Sequence, residues 1–156
     1  MQDLTIEKTS HMHIEALKSW FPDQTSVRRW GGPLFRHPFT TRTFLEDMRW
    51  GSMPSYSGLD ERRQLLAFGQ YYEKTGFCHL SRLAVDPQFR SKGIGSRFIA
   101  ELMNIGRNKY GLEDCSLFVI TTNVAALACY KKLGFTHQPW PASQDRIEGI
   151  AYMTTG

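Results

Sequence analysis

The chain has only three cysteines in 156 residues, Cys78, Cys115 and Cys129, and no two of them stand at metal-ligand spacing. Each lies in an apolar stretch. The expectation is buried free thiols in a reducing compartment, with neither a zinc site nor a disulfide framework. Also missing is any apolar run near the ~20 residues that a membrane helix needs. The opening "MQDLTIEKTS" lacks the apolar core of a secretory signal. The cytoplasm is therefore the expected location, with no membrane partner. There is no internal repeat, no low-complexity tract and no basic tail. The net charge of +4 (19 Lys and Arg against 15 Asp and Glu) is spread through the chain, with "ERR" 61–63, "RR" 28–29 and "KK" 131–132 the densest points. Such a balance mildly favours anionic ligands. Without a basic stripe interleaved with exposed aromatics, a nucleic-acid partner is not expected.

What is present suits one domain over residues 1–156, long enough to bury a core. "LTIEK" 4–8 alternates as a strand does, and Ser10 is placed to cap a helix over about 11–20 that Pro22 stops. Residues 22–40 hold three prolines, two glycines and several aromatics, and read as a long irregular loop. Trp30, Phe35 and Phe39 in it either plug the core or serve a site; both readings stand at this point. Thr40 or Thr41 opens a further helix. "RQLLAFGQYYEK" 63–74 and "FCHLSRLAV" 77–85 flank a tight "KTG" turn and predict an antiparallel hairpin, with "SMPSYSGL" 52–59 a poorer strand before them. A helix over 92–109 ends at Gly111, "CSLFVIT" 115–121 is a buried strand, and a helix over 124–132 closes at Gly134. "THQPW" and "RIEGIAYMT" supply the last two strands. The order implies an α/β (α+β) fold on a mixed sheet.

Between the second hairpin strand and the long helix stands "RSKGIGS", residues 90–96. It is not a Walker A loop, because the lysine precedes the glycines. It is not a dinucleotide fingerprint, because Phe98 stands where the third glycine belongs. What remains is Arg90-x-x-Gly93-x-Gly95 at a helix start. Glycines let backbone approach an anion, unpaired amides point outward, the helix dipole adds positive charge, and Arg90 and Lys92 add more. A pyrophosphate suits such a loop.

The surrounding residues narrow the reading. "RLAVDPQFRSKGIGSRFIAELM" 82–103 resembles the cofactor motif of the GNAT acetyltransferases, and "NVAALACYKKLGF" 123–135 resembles their second motif, with Asn123, Ala126, Tyr130, Gly134 and Phe135 in place. The resemblance implies a mixed, mostly antiparallel sheet of about six to seven strands, about four flanking helices and a splayed strand pair that receives acetyl-CoA. It implies a cofactor site made by the backbone of Leu83, Ala84 and Val85, the loop Arg90, Ser91, Lys92, Gly93, Ile94, Gly95 and Ser96, and Asn123 and Tyr130. Tyr130 is implied as the acid that protonates the leaving thiolate. At the position where several members carry a glutamate base, this chain has His79, which titrates near neutral when unperturbed. Ser81 lies two residues on along the same strand face, and Glu73 and Tyr72 are reserves for the base. Cys129 beside Tyr130 is no acyl carrier, since helix neighbours point about 100° apart and no basic partner is visible.

The expected activity is acetyl transfer to a primary amine of a small molecule or peptide by direct attack in a ternary complex. A non-catalytic acyl-CoA-binding sensor is the alternative. Trp30, Arg28, Arg29, Tyr71 and Tyr72 are candidates for the acceptor walls, by stacking or by pairing with an anionic group. No carboxylate cluster marks a polyamine site. No metal is expected, and a homodimer through "RIEGIAYMT" is possible by analogy with the family.

Overall fold

The computed structural model describes residues 3–156. In chain order it forms β1 (Thr5–Lys8), α1 (His11–Lys18), α2 (Gln24–Gly31), α3 (Thr41–Asp47), β2 (Ser55–Leu59), β3 (Leu65–Lys74), β4 (Phe77–Val85), α4 (Ile94–Tyr110), β5 (Cys115–Ile120), α5 (Val124–Lys132), β6 (Thr136–Gln138) and β7 (Ile150–Thr154), with a short 3-10 turn at Pro87–Phe89. The seven strands make one sheet in the order β1-β2-β3-β4-β5-β7-β6. All neighbouring pairs are antiparallel except β4 with β5.

Two apolar layers cover the sheet. On one face α4 lays Ile94, Phe98, Ile99, Leu102 and Met103 against Leu66, Leu80, Leu117 and Met153. Their i, i+4, i+5, i+8, i+9 spacing puts this row on a single side of the helix. On the other face α1, α2 and α3 bring Ile14, Leu17, Val27 and Phe44 against Leu59, Leu65 and Phe68. Among the described residues, that second cluster takes in none from β5, β6 or β7. The segment that carries Trp140 meets β5, its indole tilted against Phe118 with 4.6 Å between ring centres.

Residues 22–40 are not one irregular loop, because Gln24–Gly31 is a helix. Pro22, Pro33 and Pro38 all lie outside it, so none interrupts its hydrogen bonds. The Asp23 carboxylate caps its start by accepting from the Ser26 amide at 2.7 Å. Trp30 leaves this helix into the aromatic core, 4.4 Å from Phe21 and 5.6 Å from Phe44 between ring centres. Of the two readings of Trp30, Phe35 and Phe39, the core reading holds for all three. Pairing also corrects the strand offered to a second copy. β7 is flanked by β5 and β6, and the edges of the sheet are β1 and β6. Cys78 and Cys115 are free and buried, opposite each other on β4 and β5, and Cys129 is free and half-buried.

Candidate active site

The site begins with a fault in β4. Gln70 pairs with Ser81 and Phe68 pairs with Ala84, so Arg82 and Leu83 together oppose the single residue Gly69. This is a β-bulge, and a bulge bends its strand. Arg82 adopts φ 48°, a left-handed conformation unusual for a residue with a side chain. Beyond the bulge β4 leaves β5: the two strands pair only at Cys78–Cys115 and His79–Ser116. The amide of Asp86 donates to Leu66 on β3 at 2.8 Å. Because donors alternate sides along an antiparallel strand, the Val85 amide faces away from β3, into the gap beside β5. The expected splayed pair is present, with Leu83, Ala84 and Val85 along one wall.

At the mouth of the gap lies the glycine loop. Gly93 caps α4 with φ 81°, where a side chain would strain the backbone. Gly95 is needed for closeness, because a Cβ there would lie 3.3 Å from Val85 Cγ2. The first amides of α4 have no partner within the helix, and they open beside the exposed Arg90, Ser91 and Lys92. Lys92 Nζ sits 5.3 Å over the Phe89 ring. Ile94 sends its side chain into the core and leaves only backbone to the site. Ser96 Oγ meets Cys129 Sγ at 3.3 Å, tying the start of α4 to α5.

Asn123 stands at the start of α5, where its Oδ1 accepts from the Ala126 amide at 3.2 Å. Tyr130, one helix length on, is 9% exposed and packs edge-on to Phe135. Burial, with a smaller contribution from Cys129, raises its pKa, so its phenol is firmly protonated at neutral pH.

His79 is 3% exposed, with Nδ1 2.8 Å from Ser116 Oγ on β5. Burial, and then the charge of Lys74, push its pKa down to about 3. This corrects the expectation of an imidazole titrating near neutral: here it is neutral and a poor proton acceptor. Its ring belongs to a row running Tyr72, His79, Phe118, Tyr152, with contacts of 5.1, 5.1 and 5.2 Å.

Among the acceptor-wall candidates only Tyr72 lies on this row. Tyr71 projects to the opposite face and is buried under α4, stacked at 5.8 Å on Tyr56, as alternation along β3 requires. Arg28 donates from Nε to the Phe35 carbonyl at 3.0 Å and fastens its own loop. Trp30 is core, and its Nε1 donates to the Arg82 carbonyl at 2.8 Å. Arg29 is exposed on α2. Phe118, Trp140, Lys74 and Arg82 were not expected at the site. Only Arg82 carried a signal, as a charge inside an apolar strand.

A seven-stranded sheet split at one strand pair, with a glycine-led helix start at the split, defines an acyl-CoA-dependent transferase fold. The acetyltransferase (GNAT) family pattern matches residues 15–135, and the chain belongs to that family. Mycothiol acetyltransferase of Salinispora tropica is 33% identical over 89 residues, which are 54% of this chain and 28% of that protein. The chain thus spans less than a third of that curated relative. Among solved structures, spermidine N-acetyltransferase from Vibrio cholerae, in complex with CoA and spermine, has TM-score 0.73 at 14% identity, covering 97% of this chain and 94% of that one. The PaiA N-acetyltransferase from Thermoplasma acidophilum, in complex with coenzyme A, has TM-score 0.72 at 20% identity over 98% of both chains. The ribosomal-protein-S18-alanine N-acetyltransferase from Escherichia coli has TM-score 0.67 at 20% identity, covering 98% of this chain and 93% of that one. The family's cofactor is acetyl-CoA. The open strand pair and the side-chain-free approach at Gly93 and Gly95 fit a long, pyrophosphate-bearing ligand.

Proposed function

We propose that the protein is an N-acetyltransferase that moves the acetyl group of acetyl-CoA to a primary amine of a small molecule or peptide, by direct attack in a ternary complex. Residues 1–156 act as one acetyltransferase domain. The observation that carries this reading is the open β4–β5 gap with the Val85 amide turned into it and the Gly93 helix start at its mouth. When bound, acetyl-CoA supplies the activated acetyl thioester.

Each residue then has a task. Backbone amides from Gly93 to Ser96 and the charges of Arg90 and Lys92, with Ser91 between them, hold the pyrophosphate at the positive end of α4. Leu83, Ala84 and Val85 present backbone to the pantetheine arm as a neighbouring strand would. The Val85 amide polarises the reacting carbonyl, a donor fixed in place before charge develops. Asn123 fixes the start of α5 and keeps its Nδ2 for the cofactor arm. Tyr130 Oη protonates the leaving sulfur, a role suited to a phenol that burial keeps protonated. His79, too weakly basic to hold a proton at neutral pH, acts as a neutral hydrogen-bonding group that fixes Ser116 and the floor of the acceptor site. The acceptor sheds its proton to solvent. Relatives named for mycothiol, spermidine and the alanine of a ribosomal protein support an amine or small-molecule acceptor.

Titration calorimetry with acetyl-CoA tests the reading. The wild type should bind, and a Gly93→Trp/Gly95→Trp double variant should not. A wild type that releases no binding heat would overturn it.

A further inference from the structure

The row of rings on the open part of the sheet has a charge pattern of its own. His79 is the last β4 residue paired with β5 before the strands part, so the row borders the gap where the acetyl group would arrive. Lys74 Nζ stands 5.0 Å above the Phe118 ring, and its hydrogen bond goes to a neutral group, Gln144 Oε1, at 2.6 Å. At the other end, beside Tyr72, the half-buried Arg82 guanidinium donates to the Gly31 carbonyl, the Asp47 carbonyl and Gln70 Oε1, again all neutral. The electrostatic influence of Arg82 and of Arg49 reaches Tyr72. Among the described residues, Lys74, Arg82 and Arg49 make no ion pair.

Asp47 offsets part of the charge of Arg82, whereas among the described residues no carboxylate acts on Lys74. Both carboxylate oxygens of Asp47 are engaged by Arg36. Glu73 stands opposite Cys78 and acts on Tyr110, so it belongs to the α4 face. Partly buried Lys74 and Arg82, with Arg49 exposed beside them, raise the local potential, which draws an anion in and turns a polycation away. The rings supply apolar area for the body of the same molecule.

We infer that the acceptor is an amine that also carries a carboxylate or comparable anionic group on an apolar or aromatic body, with Lys74 reading the anion. This deepens the proposed acetyl transfer and rests on it. It also answers a need of that reaction. Cations around the acceptor lower the pKa of its own amine, which favours the neutral nucleophile at a site where His79 takes no proton.

The test is CoA release, followed with a thiol reagent, for three acceptors: phenylalanine, phenylalaninamide and spermidine. Acetyl-CoA binding is measured alongside by calorimetry. Phenylalanine should exceed its amide by about tenfold in kcat/KM, the scale of one charge-assisted hydrogen bond, and spermidine should be the poorest. Lys74→Met should bring the acid-to-amide ratio toward one while acetyl-CoA affinity and the melting temperature stay at wild-type values. Equal use of acid and amide, a preference for spermidine, an unchanged ratio in Lys74→Met, or bound acetyl-CoA with no acceptor used would each overturn the inference and leave the transferase reading standing. Absence of acetyl-CoA binding would remove both.

Discussion

Across 52 residues of sequence, the indole Nε1 of Trp30 donates to the backbone carbonyl of Arg82 at 2.8 Å. The contact joins the end of α2 to the residue that bends β4. Arg82 returns the contact, since its Nε donates to the Gly31 carbonyl. A left-handed conformation costs a residue with a side chain ~1–2 kcal/mol, and here this pair of contacts offsets it. The bulge therefore depends on α2. Trp30→Phe keeps a ring in the core and deletes the donor, leaving the Arg82 carbonyl unpaired. The expected loss is ~1–3 kcal/mol of stability, with acetyl-CoA binding weakened severalfold as the gap relaxes. Urea unfolding and calorimetry read the two effects. Wild-type affinity in the variant would show that the bulge holds its shape without α2.

Gly93 and Gly95 are required for different reasons, and their variants should differ. Gly93→Ala forces a side chain onto φ 81° and should lower stability by ~1 kcal/mol. Gly95→Val adds bulk where a Cβ already stands 3.3 Å from Val85 Cγ2. It should displace the β4 wall and weaken acetyl-CoA binding more than it weakens the fold. Thermal melts beside calorimetric titrations separate them. Equal effects on both quantities would mean the loop is only a turn.

Removing the Tyr130 hydroxyl distinguishes an acid from a packing residue. Tyr130→Phe keeps the ring against Phe135, so the melting temperature should hardly move. The proposed acid is lost, and kcat should fall by ~10²–10⁴ with acetyl-CoA affinity retained. A variant with normal kcat would assign the leaving-group proton elsewhere.

The depressed pKa of His79 is a statement about acid stability. An unfolded imidazole takes up a proton below about 6.5, and the buried one does so only near 3. Between these values the unfolded chain binds more protons, so stability is full above the upper value and is lost as pH falls through the window, by about 1.4 kcal/mol per pH unit. His79→Gln keeps a polar partner for Ser116 and cannot titrate. The wild type should lose stability relative to this variant between pH 6 and pH 4, read as the difference in urea midpoints. Parallel pH profiles would mean that His79 charges freely in the folded state.

The sequence by itself determined the local features and the motifs. Alternation placed β1, two strand-like runs about a tight turn placed β3 and β4, and Gly111 and Gly134 marked helix ends, because strand pleat, tight turns and helix ends are properties of a few adjacent residues. The glycine loop before α4 and the helix that carries Tyr130 were legible for the same reason, since each motif is contiguous. Only the tertiary structure decided which face each residue serves. Tyr71 and Tyr72 are neighbours in sequence, yet one is sealed under α4 and the other borders the gap. His79 titrates near neutral as a free side chain and loses that property when Ser116 and Phe118 close over it. Trp30 looked equally fit for a site or a core until packing joined it to Phe21, Phe44 and Arg82. Burial and charge are sums over groups brought together from distant parts of the chain. The proposed acceptor face therefore exists only once β3, β4, β5 and β7 lie side by side.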